Sequence, residues 1–238
     1  MKFLGLWLGR LSQIWLSRFQ KRHGLTSTSI PETHPNDRVL LHVACGGASI
    51  AHIPLRGFQN DVWREVRLDA DPTVHPDIVG TMADMSAVSN GFADAVFSSH
   101  GIEHLYWHDV PKALAECYRT LKDDGFAVIT CPDVQAAAEM IAQDRMFETA
   151  YQSAAGPITP FDIIYSYRPF VAANPQWMSH HCGFTLSTLI AVLKEAGFVQ
   201  VQGVRRAGSF DLWVIASKSQ HSPEMQAEMA GEYFPHAG

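Results

Sequence analysis

Cysteine is scarce in this sequence, and its four cysteines are widely spaced. Cys45, Cys117, Cys131 and Cys182 form no C-x-x-C pair, which excludes a zinc or redox motif of that type. A chain of 238 residues can build a hydrophobic core without a disulfide framework. Unpaired cysteines favour a reducing compartment, so we expect a cytoplasmic protein.

Long apolar runs are also missing. No run of about 18 apolar residues argues for a membrane-spanning helix, and the sequence shows no internal repeat. Hydrophobic residues nevertheless make up 47% of the chain, which is enough for a core and excludes a disordered chain. The length fits one domain with additions.

Positive charge is scarce outside the N-terminus. Residues 1–31 hold five basic residues and no acid, whereas residues 32–238 carry a net charge of −11. An acidic body is poorly suited to binding a phosphate backbone, so we expect no nucleic-acid partner.

The two ends of the chain differ from its body. Residues 1–23 have the spacing of an amphipathic basic helix, and residues 24–37 read as a Ser/Thr/Pro linker. The helix would pack on the domain or make a peripheral membrane contact through residues 1–22. A secretory signal is a third interpretation, which Arg10 disfavours because it interrupts the apolar stretch. Residues 218–238 are polar, and we expect a loose tail there.

The body alternates strand and helix patterns. Strands are predicted at 38–44, 65–68, 77–80, 93–98, 126–130, 198–205 and 210–217. Helices are predicted at 111–121, 134–146 and 185–196. This alternation predicts an α/β fold with a Rossmann-like, doubly wound sheet, in which a closing hairpin leaves the last strand antiparallel.

Small and acidic residues follow the first three strands. Cys45, Gly46 and Gly47 follow the first strand, Asp69 ends the second, and Asp84 comes after the third. Open parallel sheets bind ligands beyond the carboxyl ends of their strands. Each acid alone is more often a solvated turn residue. Their occurrence at consecutive strand ends favours a nucleoside site, with Asp69 on the ribose hydroxyls and Asp84 on an exocyclic amine.

The sequence resembles class I S-adenosylmethionine-dependent methyltransferases, in particular type 11-like bacterial proteins of unknown substrate. The resemblance rests on LHVACGG (41–47), VRLDADPTVHPDIVGTMADM (66–85), FADAVFSSHGIEHL (92–105), ALAECYRTLKDDGFAVITCPD (113–133) and GFTLSTLIAVLKEAGF (183–198). It implies a seven-stranded sheet of order 3-2-1-4-5-7-6 and a methyltransferase domain over 38–217.

The resemblance also implies S-adenosyl-L-methionine as the cofactor. The residues that it places at the cofactor are Cys45, Gly46, Gly47, Asp69, Asp84, Met85, Ser98 and Ser99. The glycine loop would lie against the methionine portion, and Met85 would give backbone and apolar contact to the adenine ring. His42 and Ala44 depart from the family pattern, which has an acid and a glycine at these positions. A catalytically silent cofactor- or partner-binding module is therefore an alternative to an enzyme.

Residues 150–182 fit neither the helix nor the strand period, and we interpret them as a substrate lid. A small organic acceptor would be methylated by in-line transfer, with His100 or His181 as the base where one is needed. The predicted substrate residues are Glu103, His104, Tyr165, Tyr167, Arg168, Met178 and His180. In this assignment Arg168 holds an anionic group of the acceptor.

The HGIEH stretch has a competing interpretation. His100, Glu103 and His104 spell H-x-x-E-H, the inverted zinc-metallopeptidase signature, which needs both histidines on one helix face. A third interpretation is that Glu103 and His104 only order the loop after the fourth strand. The flanking residues fit the methyltransferase pattern better, so we assign no metal ligands.

Overall fold

The computed structural model describes residues 37–235 of the chain. The amphipathic segment 1–23, its proposed membrane contact and nearly all of the linker lie outside these residues. Within the described part, no helix combines the length and the apolar character that crossing a membrane requires.

The described chain forms nine strands and seven α-helices. The strands are β1 (Arg38–Val43), β2 (Trp63–Asp69), β3 (Ile78–Val79), β4 (Ala93–Ser99), β5 (Leu121–Pro132), β6 (Tyr151–Ser153), β7 (Gly156–Ile158), β8 (Gln200–Arg206) and β9 (Asp211–Ser217). The helices are α1 (Val110–Thr120), α2 (Val134–Ile141), α3 (Pro160–Tyr165), α4 (Arg168–Ala173), α5 (Pro175–Met178), α6 (Leu186–Glu195) and α7 (Pro223–Tyr233).

The main sheet has seven strands in the order β3-β2-β1-β4-β5-β9-β8. The strands from β3 to β5 pair in parallel, whereas β9 pairs antiparallel with both β5 and β8. This confirms the predicted fold class, strand order and antiparallel last strand. Between β1 and β2 the chain forms two 3-10 turns, Ile50–His52 and Arg56–Phe58.

The prediction of a loose tail over 218–238 is wrong for Pro223–Tyr233, which form α7, a helix packed on the core. Ser222 caps it by accepting from the Met225 N–H. Met229 and Tyr233 lie four residues apart and are both buried in a cluster with Phe58 and Phe126. Only Met229 and Tyr233 of this helix are buried, so the apolar face is narrow and gives a weak helical signal in the sequence.

The segment 150–182 is regular rather than irregular. It holds the β6–β7 hairpin and the short helices α3, α4 and α5. Each of these helices has a proline in its first two positions, where the missing N–H costs no hydrogen bond. Helices of four to six residues are too short to repeat a 3.6-residue pattern, so the sequence does not show them.

The contact of α7 with the core predicts opposite effects for two glycine substitutions. A Cβ at Gly57 would lie 2.3 Å from Cε1 of Tyr233, whereas Gly231, on the exposed side of α7, has open space around it. We expect Gly57→Ala to lower the free energy of unfolding by about 1–3 kcal/mol through overpacking. Gly231→Ala should raise it by about 0.5–1 kcal/mol through helix propensity. Urea unfolding of both variants measures this, and equal effects would contradict the packing of α7 on Gly57.

Candidate functional site

The site lies where strand order reverses between β1 and β4. Ala44 follows β1 and His100 follows β4, and both take a left-handed backbone with a φ of 52°. A Cβ at Gly101 would lie 2.7 Å from Cβ of Ala44 and 2.8 Å from Oγ of Ser98, so the two loops touch. Left-handed non-glycine residues are uncommon and concentrate at functional sites.

The glycine loop and Asp69 meet as the sequence predicts. The Gly46 N–H donates to Oδ2 of Asp69 at 2.7 Å, and the Asp71 N–H donates to Oδ1 at 2.9 Å. A Cβ built on Gly46 or Gly47 would meet no described atom within 4 Å. Each carboxylate oxygen keeps a second lone pair for a ligand hydroxyl, and the backbone faces open space. These features fit S-adenosylmethionine.

Arg67 orders this loop and was missed by the sequence analysis. Its guanidinium donates to the backbone carbonyls of Gly46 (2.7 Å), Ala48 (2.9 Å), His75 (3.0 Å) and Val74 (3.3 Å). The planar fork of arginine suits such a set of acceptors. Arg67 thereby joins the loop after β1 to the turn after β2.

His42 stands where the resembled family has an acid, and it forms a buried pair with Glu65. Its Nδ1 lies 2.7 Å from Oε1 of Glu65 on the neighbouring strand, and His42 itself is buried. The carboxylate at this point of the sheet is therefore that of Glu65 on β2 and not that of a residue on β1. Cys45 is buried too, and burial raises the pKa of its thiol to about 12, so it is not a nucleophile at neutral pH.

The loop carrying Asp84 and Met85 is held by two residues of α1. The Met85 N–H donates to Glu116 at 2.9 Å, and Arg119 donates to the Met85 carbonyl at 2.9 Å. The hydrogen bond from Arg119 lowers the pKa of Glu116, which keeps the clamp ionised. The N–H of Met85 is therefore not free for an adenine ring, contrary to the backbone contact predicted for it. Asp84 is partly exposed and accepts from the Ser86 N–H at 3.2 Å.

The predicted catalytic and substrate residues around position 100 form a second group. Glu103 is 1% exposed, and Nδ1 of His100 lies 3.2 Å from its Oε1. The His181 and Cys182 N–H groups donate to the Glu103 carbonyl at 2.9 and 3.2 Å. This brings the 179–182 segment against the loop after β4. The rings of His104 and His180 are 4.9 Å apart, and His181 stacks on Tyr106 at 4.2 Å.

Charges in this group support one another. Burial opposes ionisation of Glu103, but the facing imidazole of His100, with a smaller effect of His104, outweighs it and lowers the pKa of that carboxyl. Partial burial likewise opposes the imidazolium of His100, whose side chain is about half exposed, yet the adjacent Glu103 carboxylate raises the pKa of His100 above its usual value. Burial lowers the pKa of His180, which keeps that ring neutral.

Arg168, predicted to hold an anionic substrate group, already forms an ion pair, although about half of its side chain is exposed. Its Nε donates to Oδ1 of buried Asp162 at 2.9 Å, and Asp162 also forms the capping box of α3 with Thr159. The pair gives the Arg168 charge an internal partner. Tyr167 is also engaged, since its hydroxyl donates to the Ala155 carbonyl at 2.9 Å. Tyr165 is about half exposed and Met178 is partly exposed at the end of α5, so both remain candidates for substrate contact.

The metallopeptidase interpretation of HGIEH is wrong. Residues Ile102–His104 form a single 3-10 turn, and His100 precedes it with a left-handed backbone. The two histidines of the motif therefore do not share a helix face, which that chemistry requires.

Comparison with known proteins agrees with this geometry. Residues 41–129 match a family model described as a methyltransferase domain. No curated protein matches the chain by sequence.

Several solved structures share the fold. A structure from Listeria monocytogenes, described as an S-adenosylmethionine-dependent methyltransferase, has 16% identity and a TM-score of 0.50, covering 78% of this chain and 91% of that one. Phosphoethanolamine N-methyltransferase 2 of Haemonchus contortus, in complex with S-adenosyl-L-methionine, has 11% identity and a TM-score of 0.50, covering 79% of this chain and 50% of that one. The CMeT domain of citrinin polyketide synthase has 13% identity and a TM-score of 0.51, covering 80% and 48%.

The fold and the switch-point site define an open α/β ligand-binding domain. The match of residues 41–129 to a methyltransferase domain model then makes this part of the chain similar to S-adenosylmethionine-dependent methyltransferases. S-adenosylmethionine-dependent methyl transfer is the function that the fold and the family match support.

The bonds of Arg67 predict that it is needed for a well-formed cofactor loop. Arg67→Met removes a charged donor shared by several carbonyls, a loss worth about 1.5–3 kcal/mol. We expect the affinity for S-adenosylhomocysteine, measured by calorimetry, to fall about 10- to 100-fold. Arg56→Met is the matched control, because Arg56 is exposed. Equal affinities in the two variants would show that Arg67 does not order the loop.

Proposed function

We propose that this protein transfers a methyl group from S-adenosylmethionine to a small organic acceptor at the carboxyl edge of β1 and β4. The observation that carries the proposal is the bond from the Gly46 N–H to Asp69 (2.7 Å) beside open space at Gly46 and Gly47. A glycine loop joined to an acid at the end of the next strand suits a nucleoside ligand that approaches the backbone closely.

The residues that would hold the cofactor come from four strand ends. Asp69 would accept from the ribose hydroxyls, and Asp84 from the adenine amine. Ser98 is buried, and its Oγ has no hydrogen-bond partner among the described residues. Its hydroxyl is therefore free to form a hydrogen bond where the loops after β1 and β4 meet. Ser99, next to it, is partly exposed. When bound, S-adenosylmethionine supplies an activated methyl group on a sulfonium sulfur.

The acceptor would lie on the side of the 100–106 loop and the 150–182 segment. Tyr106, Trp107 and Tyr165 are each more than half exposed there, which suits an organic, partly apolar acceptor. The net charge of −11 over residues 32–238 disfavours a nucleic acid. With Arg168 paired to Asp162, an anionic acceptor group finds no free arginine at that position.

A general base is needed only if the acceptor atom carries a proton. His181 is exposed, stacks on Tyr106 and is fixed through its backbone to Glu103, so it is positioned to take a proton from a group beside Tyr106. His100 is about half exposed at the junction of the two loops. The main task of the chain is to orient the two reactants and exclude water.

Asp69 gives the sharpest test of this proposal. Asp69→Ala removes the acceptor of the Gly46 and Asp71 N–H groups and the proposed ribose ligand. We expect at least a tenfold loss of S-adenosylhomocysteine affinity by calorimetry, corresponding to about 1.4 kcal/mol or more. Asp124→Ala, at an exposed position near the start of β5 and so at the opposite edge of the sheet, is the control and should bind normally.

Two measurements distinguish a methyltransferase from a catalytically silent binding module. Cofactor binding without release of the demethylated product across a panel of acceptors would favour the module. Absence of heat with both S-adenosylmethionine and its product, in a folded protein, would overturn the proposal.

A further inference from the structure

Glu103, His104 and His180 converge on one point beside the loop after β4. One ligand atom from each of the three residues lies within 4.8 Å of the other two. Glu103 and His104 belong to the 3-10 turn Ile102–His104, and His180 follows α5. The cluster therefore joins the central sheet to the segment 150–182.

Backbone contacts indicate which ring nitrogen of each histidine keeps a lone pair for a metal. Nδ1 of His104 lies 3.1 Å from the Ser179 carbonyl, and Nδ1 of His180 lies 3.0 Å from the Ile163 carbonyl. A carbonyl only accepts, so both Nδ1 atoms carry the proton and donate. In a neutral imidazole this leaves a lone pair on Nε2 of each ring. Metal-binding histidines characteristically donate their other ring N–H to a carbonyl or carboxylate in this way.

The second observation is the environment of the Glu103 carboxylate. The side chain is 1% exposed, and neither oxygen has a hydrogen-bond partner of good geometry among the described residues. A buried carboxylate without bonded partners is costly. Nδ1 of His100 lies 3.2 Å from Oε1, but the His100 side chain is about half exposed. Three groups that offer electron pairs thus face one space, an arrangement that a cation stabilises.

We propose that Glu103, His104 and His180 form a binding site for a divalent first-row transition metal such as Zn²⁺. Two imidazole nitrogens and one carboxylate oxygen are the ligand set of catalytic zinc sites, which leave a further position open. Imidazole ligands select zinc, iron and related ions over Mg²⁺ and Ca²⁺, which prefer oxygen.

The metal would also fasten the segment 150–182 to the sheet. His180 bonds to the Ile163 carbonyl on α3, and the following residues bond to the Glu103 backbone. If the proposed function holds, the open metal position would take an oxygen of the acceptor, either a hydroxyl or a carboxylate. The metal site itself does not depend on methyl transfer.

Metal binding can be measured on the full chain without any cofactor. The protein is stripped with a chelator, dialysed and titrated with ZnCl₂ by calorimetry, and the bound metal is counted by elemental analysis. We expect one tight site, a rise in melting temperature with Zn²⁺ and a visible absorption band with Co²⁺. Excess Mg²⁺ should not displace Zn²⁺.

Single substitutions locate the site. His104→Ala, His180→Ala and Glu103→Gln should each weaken Zn²⁺ binding by about 100-fold or more, beyond the loss typical of an outer-shell change. His181→Ala is the matched control and should keep the tight site, because its ring stacks on Tyr106 outside the cluster. His180→Ala keeps the test valid if the buried Glu103 variant fails to fold, since His180 is only partly buried.

The result that would overturn the site is Zn²⁺ binding of the same strength in the wild type, His180→Ala and His181→Ala. Titration of the metal-free protein with S-adenosylhomocysteine keeps the two proposals apart. Cofactor binding without a tight metal site rejects only the metal. A tight metal site without cofactor binding rejects only the methyltransferase function.

Discussion

The structure depends on the parallel pairing of β1 with β2 on one side and β4 on the other. Because chain order runs outward in both directions from β1, the connections leave the sheet in opposite directions and a crevice opens above the strand ends. The buried, hydrogen-bonded backbone of these strands fixes the positions of Ala44, Asp69 and His100. Two of these residues hold left-handed conformations that an unsupported loop would relax.

Charged residues hold the loops at this edge. Arg67 joins the glycine loop to the turn after β2, and Glu116 with Arg119 holds the loop at Met85. At the end of β5, Asp133 caps α2 and accepts a hydrogen bond from Nε of Arg205 at 2.6 Å. These bonds join loops to rigid elements without filling the crevice with side chains, so a ligand can approach the backbone.

The fold could be predicted from sequence because alternating strands and helices are compatible with few sheet topologies. In a parallel sheet the carboxyl ends of the strands lie at one edge. The same logic placed Gly46 and Asp69 at one edge of the sheet, where the structure joins them by a hydrogen bond. Arg67, Glu116 and Arg119 could not be found, since a charged residue in a strand or helix looks the same whether it is solvated or bonded to a distant loop. Helix α7 buries only a narrow apolar face, and the helices of 150–182 are too short to repeat a helical period.

The pair of His42 and Glu65 has a consequence for how such sequences diverge. Related methyltransferases commonly carry an acid at the position of His42, and Nδ1 of His42 lies 2.7 Å from Glu65. An acid at position 42 in this protein would set two carboxylates against each other in a buried layer, which raises the cost of either charge. The two positions are therefore epistatic. Along a lineage they are expected to covary, and an acid at position 42 should accompany a non-acidic residue at position 65.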